Sequence, residues 1–211
     1  MLSQAGNAVD RERPKGLGAD GLDVVVPPIL LPRHRNEPIS WPPGILPHAD
    51  LLEFLAYWQG LVREDGTLPS RPDISPFALR RLLAGIAMID VLPPVEASHP
   101  YRYRWRLLGT AHQQHLKVDL TGRYFEEAHR PEWLALAQRA FVPVIRERRP
   151  GYIRMSTRGV TLTPVVNYFE RIVAPLAAGA SDVNMLIGMW AWLPLGRVHG
   201  SASAGDGDLD V

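Results

Sequence analysis

His112 and His115, three residues apart, with His129 further on, are the side chains of this sequence best suited to holding a metal or moving a proton. On a helix, positions i and i+3 share a side, so the pair has the spacing for two metal ligands or for a general base with its helper. The remainder of such a site is missing. A catalytic zinc takes three protein ligands and a structural zinc four, and no HExxH pattern accompanies the histidines. The chain of 211 residues contains no cysteine. That excludes disulfides, thiolate ligands, cysteine nucleophiles and cysteine–flavin photochemistry. No set of nucleophile, base and orienting group emerges, so no catalytic residue, metal or cofactor is assigned. Ser70 and Asp73 could imitate a catalytic pair, but the prolines around them favour a structural connector. Thr121-Gly122-Arg123 holds one glycine and reads as a turn with positive φ, not a phosphate loop.

A second group is aromatic. Tyr103, Trp105, Phe125 and Trp133 are what a small-molecule cavity uses for its walls, and equally what a packed core uses. Gly188, in the middle of an apolar run, is expected to leave room beside it. Tyr103, Trp105, His112, His115, Phe125 and Gly188 are therefore the candidate ligand-binding residues. Arg102, Arg104 and Arg106 alternate with Tyr103 and Trp105. Such a stripe is expected to be a solvated face that keeps an edge strand from pairing with other chains, with an acidic-partner site as the alternative.

These side chains need positioning elements. YRYRWRLLGT (101–110) alternates with period two, as a half-buried strand does, and stops at Gly109-Thr110, where Thr110 suits a helix cap. GIAMIDVLPP (85–94) reads as a buried strand before it. RPEWLALAQRAFVPVIRERRP (130–150) is helical, with Pro131 in the first turn and Pro143 removing one hydrogen bond. GYIRMS (151–156), NYFERIVAPL (167–176) and VNMLIGMWAWL (183–193) are strands. Ahead of them, Leu51, Phe54, Leu55, Trp58, Leu61 and Val62 share one face of a helix, with Asp50 and Glu53 as a capping box. A short helix from Pro76 is expected to turn Phe77, Leu79, Leu82 and Leu83 inward.

Composition sets the bounds. A 46% hydrophobic fraction supports one buried core. A formal charge of +1 lacks the basic excess of a nucleic-acid binder. No signal-like leader is present, and no apolar run reaches the roughly 20 residues of a membrane span, so a cytoplasmic protein is expected. Residues 1–48 hold eight prolines and read as an extended or disordered arm, whose patches at Val24–Val26 and Ile29–Leu31 could lie along the domain. Residues 49–197 form the domain and 198–211 a flexible tail.

The order of elements, together with LPSRPD, the arginine-tyrosine strand ending in Gly109-Thr110, the Thr121-Gly122-Arg123 turn and the Arg171-x-x-x-Pro175-Leu176 strand, resembles the stand-alone PAS-domain proteins common in alphaproteobacteria. His112-Gln113-Gln114-His115-Leu116-Lys117 stands where relatives often carry a glycine. The resemblance implies an α+β fold: a PAS-like five-stranded antiparallel sheet with helices on one face and an N-terminal helix. It implies a sensory or protein-interaction module of bacterial signal transduction that acts through partners such as a sensor kinase, with or without a small-molecule ligand. Haem-binding members carry an axial histidine on the long helix, and this one has none there. A homodimer joined through the Leu51–Val62 helix is expected, with neither nucleic acid nor membrane as partner. The alternative is a metal-dependent or general-base enzyme using the His112/His115 region.

Overall fold

The computed structural model describes residues 22–95, 99–158, 166–178 and 182–193. The tail 198–211 and the first 21 residues of the arm lie outside these. Six strands form one antiparallel sheet in the order β1-β4-β5-β6-β2-β3. They are β1 (Leu22–Leu30), β2 (Ile86–Leu92), β3 (Arg102–Leu108), β4 (Gly151–Arg158), β5 (Val166–Ala177) and β6 (Val183–Leu193). The helices are α1 (Ala49–Gln59), α2 (Thr110–Leu116), α3 (Phe125–Ala128) and α4 (Pro131–Glu147). This is the expected α+β layout with a sixth strand, drawn from the proline-rich arm.

β1 can exist because it sits at the sheet edge, where prolines 27 and 28 need not donate to a ladder on both sides; its register with β4 shifts between Val24 and Ile29. The arm is bonded to the domain beyond β1 as well. Arg33 donates from Nη2 to the Glu147 carbonyl (3.0 Å) and from Nε to that of Arg148 (3.1 Å), at the C-terminal end of α4, where a cation suits the helix dipole. Gln59 donates to the Pro32 carbonyl at 3.0 Å.

Paired residues in an antiparallel ladder point to the same face. The registers Val173↔Gly188, Arg171↔Trp190 and Phe169↔Trp192 in β5–β6, continued by Ile89↔Leu186 and Ile89↔Trp105 in β2, define an inner face. Helices α3 and α4 cover it: Phe125 stacks on Trp105 and Phe141 meets Tyr103 edge to face. Tyr152, Glu170 and Ile172 point to the outer face. There α1 lies against β5 and β6, and Trp58 donates its indole N–H to the Pro175 carbonyl at 3.1 Å.

Several local expectations change. Leu51, Phe54, Leu55 and Trp58 are each at most 2% exposed, so these four residues of the face expected to serve a dimer are covered by the chain's own fold, while α1 ends at Gln59 and the other two, Leu61 and Val62, lie beyond it and are half-buried. Helix α1 is capped by His48, whose Nδ1 accepts from the Asp50 N–H at 3.2 Å; Asp50 sits inside the first turn instead of capping it. Residues 76–82 form turns, followed by a 3₁₀ turn at Leu83–Gly85, and only Leu79 and Leu82 are buried. Phe77 is 76% exposed beneath Arg80, and Leu83 also faces out. Gly109, not Thr110, is the N-cap of α2. A Cβ there would stand 2.2 Å from the Leu83 carbonyl oxygen, so only glycine fits this crossing of two backbones.

Candidate functional site

The inner face holds an aromatic interior centred on the predicted residues and larger than they suggested. Tyr103, Trp105 and Phe125 are all buried and in mutual contact through Phe125, with ring centroids 5.5 Å and 4.6 Å apart. Burial pushes the Tyr103 phenol well above its ordinary range. Its hydroxyl donates to Gln138 Oε1 at 3.2 Å, and Gln138 in turn donates to the Tyr101 carbonyl at 2.6 Å.

Helix α2 brings His112 and His115 to one side, as their spacing requires, and Trp192 touches both. Their environments differ. His112 is buried, and the contact of Nε2 with the Gly85 carbonyl (3.1 Å) requires Nε2 to carry the proton, since the carbonyl only accepts. Burial lowers its pKa to about 4, opposed by the Gly85 bond, with the charge of Arg171 a lesser cause. His115 is exposed and lies flat on Trp192 at 4.4 Å; desolvation lowers its pKa too. Among the described residues neither ring is joined by a carboxylate, and no three His, Cys, Asp or Glu side chains are arranged to hold a metal.

His129, weighed as a third metal ligand, sits elsewhere. Its Nε2 accepts the Trp105 indole N–H at 2.9 Å, which puts the proton of the neutral ring on Nδ1. Burial, then the Arg171 charge, lowers its pKa to about 3. Nδ1 is buried with no partner among the described residues, as are Trp133 Nε1 and Trp192 Nε1.

Gly188 does not open a space. A Cβ there would stand 2.5 Å from the Trp190 ring and 3.0 Å from the Ile172 carbonyl oxygen; the missing side chain makes room for Trp190.

Two features of this region were not singled out in the sequence. Arg171, 2% exposed, lies beneath Phe141, Trp190 and Phe169, with its guanidinium carbon 4.6, 5.2 and 6.0 Å from the ring centroids. Burial pulls its pKa down to about 9, which leaves it a cation at neutral pH. The signal was present in FERIVAPL (169–176), where arginine occupies the same phase as Phe169 and Val173 in a strand apolar on both sides. The second is the β3 edge. Gly122 donates to the Trp105 carbonyl (2.7 Å) and Trp105 to that of Arg123 (3.0 Å), so the turn with Gly122 at φ +83° covers this edge. Arg104 pairs with the buried Asp90, Nη2–Oδ2 2.7 Å and Nε–Oδ2 2.9 Å. Arg102 bonds Glu126 and lies over Tyr124. The arginines expected as a solvated guard are, for two of three, specific partners. Ser70 and Asp73 form the expected connector, Ser70 donating from N and Oγ to Asp73 Oδ2 at 2.8 and 2.6 Å.

A five-strand array in the order β3-β2-β6-β5-β4 with three helices over one face is joined to a family by sequence as well. The PAS domain model matches residues 46–191. The chain belongs to the PAS-domain family. Among solved structures it is similar to one described as the structure of an RNA-binding Light-Oxygen-Voltage receptor, at 13% identity and a TM-score of 0.40, covering 78% of this chain and 38% of that one. No curated protein matches. As a PAS domain the chain is a sensory signalling module by family, and among its described residues no helix is long and apolar enough to cross a membrane.

Proposed function

We propose that this PAS domain works as a regulatory module in the cytoplasm, acting through a signalling partner such as a sensor kinase, and that a small molecule held on the inner face adjusts that interaction. The observation that supports the reading is the make-up of the inner face. A PAS core serving only as packing would satisfy its buried polar groups, whereas three ring nitrogens here are buried without partners beside a buried cation. Tyr103, Trp105, His112 and Phe125 belong to this interior, His115 stands at its rim, and Gly188 admits Trp190 into it. The His112/His115 enzyme alternative has less behind it, because His112 is committed to Gly85 and His115 to Trp192. A net charge of +1 gives no support to a nucleic-acid role. Self-association is part of the proposal, through a surface other than the buried face of α1.

Native mass spectrometry of gently purified full chain tests it. The expected result is a small molecule that stays on the 23.5 kDa chain in native spray and leaves on denaturation, with the dimer mass visible at micromolar protein. Partner recovery from the native source is then compared with and without that molecule. A chain free of small molecules whose partner recovery is unaffected by denaturant-stripped extracts of its own cells would sink the ligand-adjusted reading.

A further inference from the structure

Where β3 begins, between it and the helices that cover the inner face, lies a half-open cavity of about 230 Å³. A cavity of about 150 Å³ holds a benzene ring, so this one takes a ring with a small substituent. Pro94, Val95, Tyr101 and Leu134 give it an apolar lining. Val95 is 76% exposed, so apolar surface is left bare here.

The charged side chains on the wall are Arg102 and Glu126. They are bonded to each other, and Arg102 also lies over the Tyr124 ring. An ion entering the cavity would shed water without finding a counter-charge of its own, so the cavity suits an uncharged molecule. His99 completes the wall. Gln138, on α4, supplies the directional contact. A primary amide offers two N–H donors and two acceptor lone pairs. The bond to the Tyr101 carbonyl and the bond from the Tyr103 hydroxyl use one of each. Gln138 is 8% exposed and lines the cavity, so an occupant there can reach what water scarcely does. Matching a second N–H and a second lone pair on one amide takes an acceptor and a donor side by side, which is the edge of a carboxamide or lactam.

We propose that this cavity binds a small uncharged ring compound with a carboxamide-type edge, its carbonyl accepting from Gln138 Nε2 and its N–H donating to Gln138 Oε1. This rests on the reading of the inner face as ligand-holding, and names the place and the chemistry. Gln138 carries occupancy inward, because Oε1 also holds the hydroxyl of Tyr103, whose ring packs on Phe125 and Phe141.

Benzamide is the probe, followed by nitrogen–proton correlation spectra of the full chain, with acetophenone and sodium benzoate in parallel. Acetophenone keeps the ring and the carbonyl but has no N–H, and benzoate carries a charge. Benzamide should bind saturably and move the Gln138 side-chain amide signals. Acetophenone should bind about tenfold more weakly, the worth of about one hydrogen bond, and benzoate more weakly still. Leu134→Trp fills the cavity from a half-buried position and should abolish the benzamide shifts. Gln138→Leu should leave benzamide no tighter than acetophenone. No saturable benzamide binding, acetophenone or benzoate binding as tightly, or binding that survives Leu134→Trp overturns the proposal. Should either variant not fold, Val95→Trp closes the cavity from an exposed position, and an unchanged benzamide affinity there overturns it. A charged molecule found in the native mass spectrum, with no benzamide binding, would sink the amide chemistry and leave the regulatory reading standing.

Discussion

Glu170 and Arg171 are adjacent in β5, each 2% exposed, and the two faces of the sheet treat them in opposite ways. On the outer face Glu170 accepts from the Tyr152 hydroxyl (2.6 Å) and the His48 backbone N–H (2.6 Å). Those bonds tie β5 to β4 and to the start of α1, and Trp41 meets Tyr152 edge to face at 5.1 Å above them. On the inner face Arg171 is ringed by carbon. A buried carboxylate bonded as Glu170 is belongs to the architecture, since nothing can be added to it without breaking a bond already made. A face whose buried donors are short of acceptors has an affinity left over.

The largest effect should come from making the faces alike. Glu170→Ala strands the Tyr152 hydroxyl and the His48 N–H together, and is expected to cost about 3 kcal/mol by urea unfolding. Arg171→Met removes a buried cation that no carboxylate pairs among the described residues, and should be neutral or stabilising. Equal destabilisation by both would erase the distinction between the faces. Gly188→Leu comes next. Its side chain would have to enter space held by Trp190, with Val173 Cγ2 3.0 Å from the Cβ position, at a cost of about 1–3 kcal/mol and a visible change in near-ultraviolet circular dichroism from the displaced indole.

Arg104→Ala probes the outer face at its far edge. As a bare edge residue it would cost little, but it bonds Asp90, whose side chain is 9% exposed. With Arg104 itself 34% exposed and partly screened, a loss of stability smaller than that of Gly188→Leu is expected, recovered in the double variant Arg104→Ala, Asp90→Ala. A cost that does not fall in the double variant would show that the pair is not what holds this edge.

Much of this arrangement was legible before the structure. Period-two alternation located β3, apolar strand-like runs located β2, β5 and β6, and β4 was read over 151–156; Tyr103, Trp105 and Phe125 meet because strand phase and helix position each point them inward. What was not legible depends on pairing across the chain. Whether Gly188 leaves a gap is decided by the Trp190 ring two residues on, and no periodicity reports where a ring folds. Arg104 looked solvated because its partner Asp90 lies on another strand. β1 was hidden by its prolines, which forbid a central strand but not an edge. Arg171 was overlooked because an arginine in an alternating strand is ordinarily assigned to water, and here neither phase faces water.

The smallest effect, and the one that reads the inner face most directly, is on pH dependence. His112 and His129 have folded-state pKa values lowered from 6.5 to about 4 and about 3 by burial, with Arg171 adding to both and His115 to the first. Between those values and 6.5 the unfolded chain binds protons that the folded chain refuses, so folding stability is complete above about pH 6.5 and falls as the pH drops towards 4. From ~pH 7 to ~pH 5.5 the loss should be about 1 kcal/mol for each histidine, measured by urea unfolding at fixed ionic strength. Arg171→Met removes a positive charge from beside both rings, so their folded-state pKa values should rise and the slope should flatten. A slope that is unchanged in Arg171→Met would mean that the guanidinium does not act on the histidines, and that the inner face is a packed core like the outer one.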